Sequence, residues 1–201
     1  ERSHGCLIGQ PGTGKTHWAV ALGLAACRQG RRVRFFTAAG LVNRLEEAQK
    51  HYQLDRFLGR LDKTDLLICD ELGYLSFSRS GAELLFQVNR LEEAQKHYQL
   101  DRFLAQLDKT DLLICDELGY LSFSRSGAEL LFQVFADRYE RASLLVTSNL
   151  PFSEWSQVFQ GERVTAALLD RLTHRCQIFE MNAESYRFRE SMKTKKGKKA
   201  Q

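Results

Sequence analysis

Eight consecutive residues near the start of the chain, Gly9-Gln10-Pro11-Gly12-Thr13-Gly14-Lys15-Thr16, carry the spacing G-x-x-x-x-G-K-[ST]. Chemistry at that spacing is phosphate chemistry. The glycines let backbone N–H groups curl around phosphate oxygens, and a helix starting there adds its positive N-terminal dipole. Lys15 would reach the β- and γ-phosphates of a nucleoside triphosphate, and Thr16 would place its hydroxyl on Mg²⁺.

A second signal occurs twice. The stretch LLICDELGY stands at Leu66–Tyr74 and again at Leu112–Tyr120, each an apolar run ending in Asp-Glu. At the tip of a buried strand beside a phosphate loop, the Asp holds the metal and the adjacent Glu polarises the attacking water. The candidates are therefore Asp70 and Asp116 for the metal, with Glu71 and Glu117 for the water. A Glu at this position favours a hydrolase over a kinase, which must exclude water. Asn149 ends a later apolar run, where its amide would orient the water or sense the γ-phosphate, or else serve as a turn or cap residue. Arg171 and Arg175 in LLDRLTHR would offer a guanidinium to a neighbouring subunit's nucleotide, or form a solvated helix face.

The elements that must position these groups follow from hydrophobic periodicity. His4–Ile8 reads as a short buried strand running into the glycine-rich turn. His17–Arg28 is nearly all apolar and reads as a well-buried helix, with Gly30 at its C-terminal cap. Strands are expected at Val33–Thr37, Asp65–Cys69, Asp111–Cys115, Ser143–Thr147 and Cys176–Met181. Helices are expected at Leu41–Leu58, Arg79–Val88, Asn89–Tyr98, Gly127–Arg141 and Val164–Thr173, the second and third fused into one rod. Strands alternating with helices imply an α/β fold, a parallel sheet covered on both faces. Ligands in such sheets lie beyond the carboxyl ends of the strands.

Residues Asn43–Val88 repeat as Asn89–Val134 at an offset of 46, differing only at Gly59-Arg60 against Ala105-Gln106. Two copies are too few for a solenoid, which needs at least three stacked units. A recent in-frame tandem duplication and an assembly error in the sequence would look alike.

The 201 residues fit one domain, or one with an addition. No run of about 18 apolar residues is present to cross a membrane, and the start lacks an initiator Met and a signal-peptide pattern. It reads as a fragment whose N-terminal part is missing. Five cysteines without a CxxC pair suggest reduced thiols in a cytoplasmic protein. The net charge of +4 rests on Lys193, Lys195, Lys196, Lys198 and Lys199, without which the chain would carry −1. The chain divides into a core over 1–190 and a basic, disordered tail over 191–201, which would touch phosphates or merely solubilise.

The segments GQPGTGKTHWAVALGLAACRQGRRVRFF, LLICDELGYLSFSRSGAELLFQVFADRYERASLLVTSNLPF and LLDRLTHRCQIFEMNAESYRFRES resemble the IstB-type transposition helper ATPases. These are insertion-sequence AAA+ proteins similar to the DnaC helicase loader. The resemblance implies a P-loop AAA+ sheet that binds ATP and Mg²⁺ and hydrolyses the nucleotide. It further implies a homo-oligomer with shared ATP sites, assembled on DNA to assist a partner transposase. By position it makes Asn149 a first sensor, Arg171 the preferred trans-acting finger with Arg175 the alternative, and Arg187 a second sensor. The segment after Met181 is short for the helical lid such a sensor needs. Gln10 stands where the family has Pro, at a position whose backbone does the work. Trp18 stands where a smaller residue is usual, and overpacking there would cost about 1–3 kcal/mol.

Sequence distance does not choose between the copies. Lys15 to Asp70 spans 55 positions, as in the family, and Asp116 to Asn149 spans 33, again as in the family. Either the first copy keeps the ancestral slot and the second bulges out, or the sheet gains one strand. The second solution keeps every right-handed crossover to one strand step and puts Asp116-Glu117 beside the sensor strand. It is the preferred reading, although either insertion would also be able to ruin the site. A decayed remnant without turnover and a replicative helicase loader are the alternative functions.

Overall fold

The computed structural model describes residues 3–72, 103–119, 122–123, 125–139, 141–159 and 161–198. The expected helices at Arg79–Val88 and Asn89–Tyr98, and the rod joining them, lie outside those residues. Six strands form one sheet: β1 (His4–Ile8), β2 (Val33–Thr37), β3 (Leu66–Asp70), β4 (Leu112–Leu118), β5 (Ser143–Ser148) and β6 (Cys176–Glu180). Their order is β2-β3-β4-β5-β1-β6, and every pairing is parallel. Seven helices are described as elements: α1 (Lys15–Arg28), α2 (Ala38–Lys50), α3 (Leu54–Leu61), α4 (Arg125–Arg138), α5 (Trp155–Phe159), α6 (Glu162–Thr173) and α7 (Tyr186–Lys198). Residues 103–109 are also helical.

The sheet has gained a strand. The two copies of LLIC lie side by side as β3 and β4, in register from Leu66 against Leu112 to Cys69 against Cys115. Both are buried, because alternate side chains serve both faces. Leu67, Cys69, Leu113 and Cys115 enter the larger core with Leu58, Leu107, Phe135 and Leu168. Leu66, Ile68 and Ile114 join Leu7, Ala19 and Leu145 on the face that carries α1. The second copy, not the first, borders β5.

The strands His4–Ile8 and Val33–Thr37 form as the sequence predicts. Five expectations need correction. The single helix over Leu41–Leu58 is two, α2 and α3, broken where fully exposed Tyr52 takes a left-handed φ of 54°. Strand β4 runs on to Leu118, past the expected Cys115. Helix α1 is not well buried: only Lys15, Ala19 and Gly23 are, while Trp18 is 58% exposed. The helix meets the sheet through its small residues, with Gly23 set closely over Ile68. Trp18 therefore overpacks nothing, and the cost expected of it does not arise. The basic run after residue 191, expected to be disordered, continues α7 as far as Lys198.

Gly30 closes α1 as expected. With φ at 77° it lets Gly30 N–H bond Cys27 O at 2.9 Å and Arg31 N–H bond Ala26 O at 3.0 Å. On the opposite flank, buried Arg138 ties the second copy to β5. Its Nη1 donates to Leu107 O at 2.5 Å, and its Nη2 donates to Thr110 O at 2.8 Å and Ser143 O at 2.9 Å. Replacing it leaves charge-assisted bonds unmade at buried carbonyls. Arg138→Met should lower the unfolding free energy by about 3 kcal/mol in urea denaturation. A change near zero would contradict this bracing role.

Candidate functional site

The loop between β1 and α1 is shaped by glycine. Gly12 and Gly14 hold φ at 81° and 96°, and Gly14 is the N-cap of α1. Glycine is needed for space as well. A Cβ on Gly9 would strike the Met181 carbonyl, and one on Gly12 would strike the Ser185 side chain. The segment after β6 thus lies against the loop, fixed by Met181 N–H to Ile8 O at 2.7 Å and Tyr186 N–H to Gly12 O at 2.9 Å. It delivers the first turn of α7 to the loop.

Lys15 is buried, and its Nζ donates to Gly9 O at 2.6 Å and Gln10 O at 3.0 Å. Burial pulls its pKa down, while nearby Asp116 and Glu117 push it up. The ammonium therefore waits inside the loop, facing the acidic tip of β4. A cavity of about 650 Å³ opens here, lined by Pro11, Gly12, Thr13, Gly14, Lys15 and Thr16 of the loop. Glu117, Asn149 and Arg187 line it too, together with His17, Ala183, Glu184, Tyr186 and Arg189, which sequence reasoning had not singled out. Gly9 and Gln10 contribute the carbonyls that hold Lys15.

The β4 tip is irregular. Cys115 pairs with Val146 and Leu118 with Ser148, so β4 carries one extra residue across Asp116 and Glu117. Such a bulge re-aims side chains at a strand end. Glu117 takes a left-handed φ of 57° and reaches the cavity. Its carboxyl is held above the usual range by burial first and by Asp116 second, with Arg187 and Lys15 opposing. Asp116 is fully buried beneath it, and its Oδ1 accepts the Thr147 hydroxyl. Asp116 Oδ2 has no hydrogen-bond partner. Beyond β5, Ser148 Oγ accepts Leu150 N–H at 3.1 Å and Trp155 Nε1 donates to Leu150 O at 3.3 Å, which fixes the turn that carries Asn149.

The first copy is one strand removed. Glu71 copies the backbone of Glu117, with φ at 58°, but it is exposed and does not line the cavity. Its N–H bonds its own neighbour, Asp70 Oδ1, at 2.8 Å. Asp70 is pushed up to about 6 by burial first, then by Asp116. Neither finger candidate reaches this chain's cavity. Arg171 lies over the Phe132 ring at 4.9 Å and bonds Ala167 O at 3.3 Å. Arg175 is exposed in the turn before β6, with φ at 60°.

A hard cation such as Mg²⁺ takes oxygen ligands and needs few from protein when phosphates supply the rest. The residues fit it in their chemistry: Thr16 lines the cavity with its hydroxyl, and next to cavity-lining Glu117 the buried Asp116 carboxylate, although not itself part of the lining, keeps one oxygen without a hydrogen-bond partner. Among the described residues no group of three or more His, Cys, Asp or Glu side chains forms a metal site by itself.

Fold and site are those of a P-loop protein: a parallel sheet whose first strand runs through the glycine-rich loop into a helix. The fold is shared with the crystal structure of DnaI, at a TM-score of 0.50 and 16% identity over 91% of this chain and 72% of that one. The chain belongs to the IstB-like ATP binding protein family, whose model matches residues 3–90 and again 88–194, one repeat copy in each. An insertion-sequence ATP-binding protein of Sinorhizobium fredii is 36% identical over 94% of this chain and 48% of its own length. The insertion sequence IS21 ATP-binding protein of Pseudomonas aeruginosa is 35% identical over 93% of this chain and 53% of its own. The chain thus spans about half the length of the curated relatives it matches. No helix among the described residues is long and apolar enough to cross a membrane.

The two carboxylates side by side yield a prediction about pH. A folded-state pKa of about 6 against an ordinary 3.8 means that ionised Asp70 costs the metal-free fold stability. The cost is full above the folded value and vanishes below the unfolded one. Asp70→Asn should therefore raise the melting temperature at neutral pH by about 3 °C, allowing for partial exposure. The gain should be gone in melts below the ordinary value of 3.8, and a gain unchanged there would refute the repulsion.

Proposed function

We propose that the chain binds ATP with Mg²⁺ and hydrolyses it, as a cytoplasmic helper ATPase that assembles on DNA and assists a transposase. The observation that carries the ATPase reading is one cavity faced by Lys15, Thr16, Glu117 and Asn149, with the charge of buried Asp116 bearing on Lys15. The transposition reading is supported by relatives that are ATP-binding proteins of insertion sequences.

In this reading the loop amides and the dipole of α1 hold the β- and γ-phosphates. Lys15 exchanges its carbonyl partners for phosphate oxygens, a substitution that its position inside the loop makes short. Thr16 and Asp116 would hold Mg²⁺, which when bound draws charge from the phosphate oxygens. Glu117 accepts a proton from the attacking water; its raised pKa, set chiefly by burial, moves it toward the working range of a general base. Asn149 orients that water from the β5 end. Arg187 faces the same cavity from α7 and serves as the second sensor. Arg171, or else Arg175, completes the site of a neighbouring subunit, so that turnover depends on assembly.

Two further readings share these motifs. A replicative helicase loader would differ only in its partner. A remnant that binds nucleotide without turnover is favoured by one observation, the added Asp70 whose charge bears on Asp116.

Steady-state ATPase assays separate them. Asp116→Ala and Glu117→Gln should each lower turnover by about 10²–10⁴-fold, whereas Asp70→Ala should leave it intact. Specific activity should rise with protein concentration and with added DNA. Loss of turnover in Asp70→Ala with retention in Asp116→Ala would reverse the assignment. Binding without phosphate release in the unaltered chain would favour the remnant.

A further inference from the structure

The molecule contains its own comparison. Two nearly identical segments end in Asp-Glu with the same left-handed glutamate, yet their side chains are wired differently. At the first tip, Glu71 N–H is satisfied by Asp70 Oδ1 at 2.8 Å, so the aspartate caps its own neighbour. At the second tip, Glu117 N–H goes across to Thr147 Oγ1 at 2.9 Å, and the same hydroxyl donates to Asp116 Oδ1. The difference lies in the adjoining strand. Past Cys115 and Val146 the β4–β5 register shifts, and Thr147 of β5 meets Asp116 through its hydroxyl. The β3–β4 pairing ends at Cys69 and Cys115, and the group of β4 that bears on Asp70 is Asp116, a carboxylate with no proton to give when ionised.

The geometry points to Thr147 as a positioning residue for nucleotide hydrolysis, whose hydroxyl braces the bulge so that Asp116 keeps Oδ2 free for a cation and Glu117 stays in the cavity. A threonine hydroxyl has one proton and two lone pairs. Here the proton goes to Asp116 and a lone pair takes the Glu117 N–H, so one fully buried group fixes both functional residues. Without the hydroxyl, the Glu117 N–H must find another acceptor. The nearest precedent is the first copy, where it is the aspartate itself. That wiring occupies the metal-binding carboxylate.

The proposal rests on the ATPase reading above, and its test keeps the two apart. Thr147→Val removes the hydroxyl at nearly constant volume, and Thr147→Ser keeps it while removing the methyl. Mn²⁺ affinity is read by electron paramagnetic resonance titration with a non-hydrolysable ATP analogue present, and ATP turnover is read separately. Thr147→Val should bind the analogue without metal within about 2-fold of the unaltered chain. It should weaken Mn²⁺ about 10-fold or more, as loss of an outer-sphere partner does, and lower kcat more than it raises KM. Thr147→Ser should restore both readouts to within about 3-fold. Unaltered Mn²⁺ affinity and kcat in Thr147→Val would overturn the proposal. A serine variant as impaired as the valine variant would also overturn it, since the methyl and not the hydroxyl would then matter. If Thr147→Val fails to fold, Thr147→Ala replaces it as the variant without the hydroxyl, on the same two readouts and with Thr147→Ser as the rescue. Failure of the unaltered chain to bind Mn²⁺ with nucleotide would instead defeat the ATPase reading, and the proposal with it.

Discussion

The structure depends on one strand pairing. Strand β4 lies parallel to β5 with a bulge at which Asp116 and Glu117 both bond Thr147, and Glu117 shares the cavity with Asn149. Every other feature of the site can be reached through that contact. Lys15 faces the acidic tip from the loop, and Arg187 reaches the same cavity from α7. Had the first copy of the duplicated strand bordered β5, the same sequence would have presented Asp70 and Glu71 instead.

The duplication is accommodated because a parallel sheet buried on both faces imposes a demand that two identical strands meet equally well. LLIC offers apolar side chains up and down, so an extra copy enlarges both cores. What the addition changes is the strand tip. A carboxylate that belongs beside a hydroxyl now also lies beside another carboxylate, and burial makes that proximity costly. Arg138 and Thr147 both lie outside the repeated segment, so only the second copy receives their bonds. Identical sequences thus acquire different roles from their neighbours.

Much of this was legible beforehand, for reasons that differ by element. The phosphate loop is local, since its glycines and lysine act through the backbone that they themselves shape. Strands β1 and β2 matched to the residue because their apolar runs are short and bounded by turns. The added strand followed from connection handedness. The break at Tyr52 was hidden, because a tyrosine does not advertise a left-handed backbone as glycine does. The burial of α1 was misjudged from composition. Its apolar residues suggested a covered helix, but contact with the sheet runs through Ala19 and Gly23 and leaves Trp18 outside. Thr147 carried no signal at all. A hydroxyl in a buried strand gains meaning only from the residue opposite, and a single sequence does not state the register. Arg189 was passed over beside Arg187 because their shared approach to the loop depends on the clamp at Gly9 and Gly12.

The central claim is that the second copy, through Asp116, holds the cation beside a triphosphate cradled by Lys15. A crystal structure of the chain with Mg²⁺ and a non-hydrolysable ATP analogue addresses it directly. The account predicts the cation between Thr16, Asp116 and the β- and γ-phosphates, with Asp70 outside its coordination sphere. A cation held by Asp70, or a triphosphate seated away from Lys15, would contradict it.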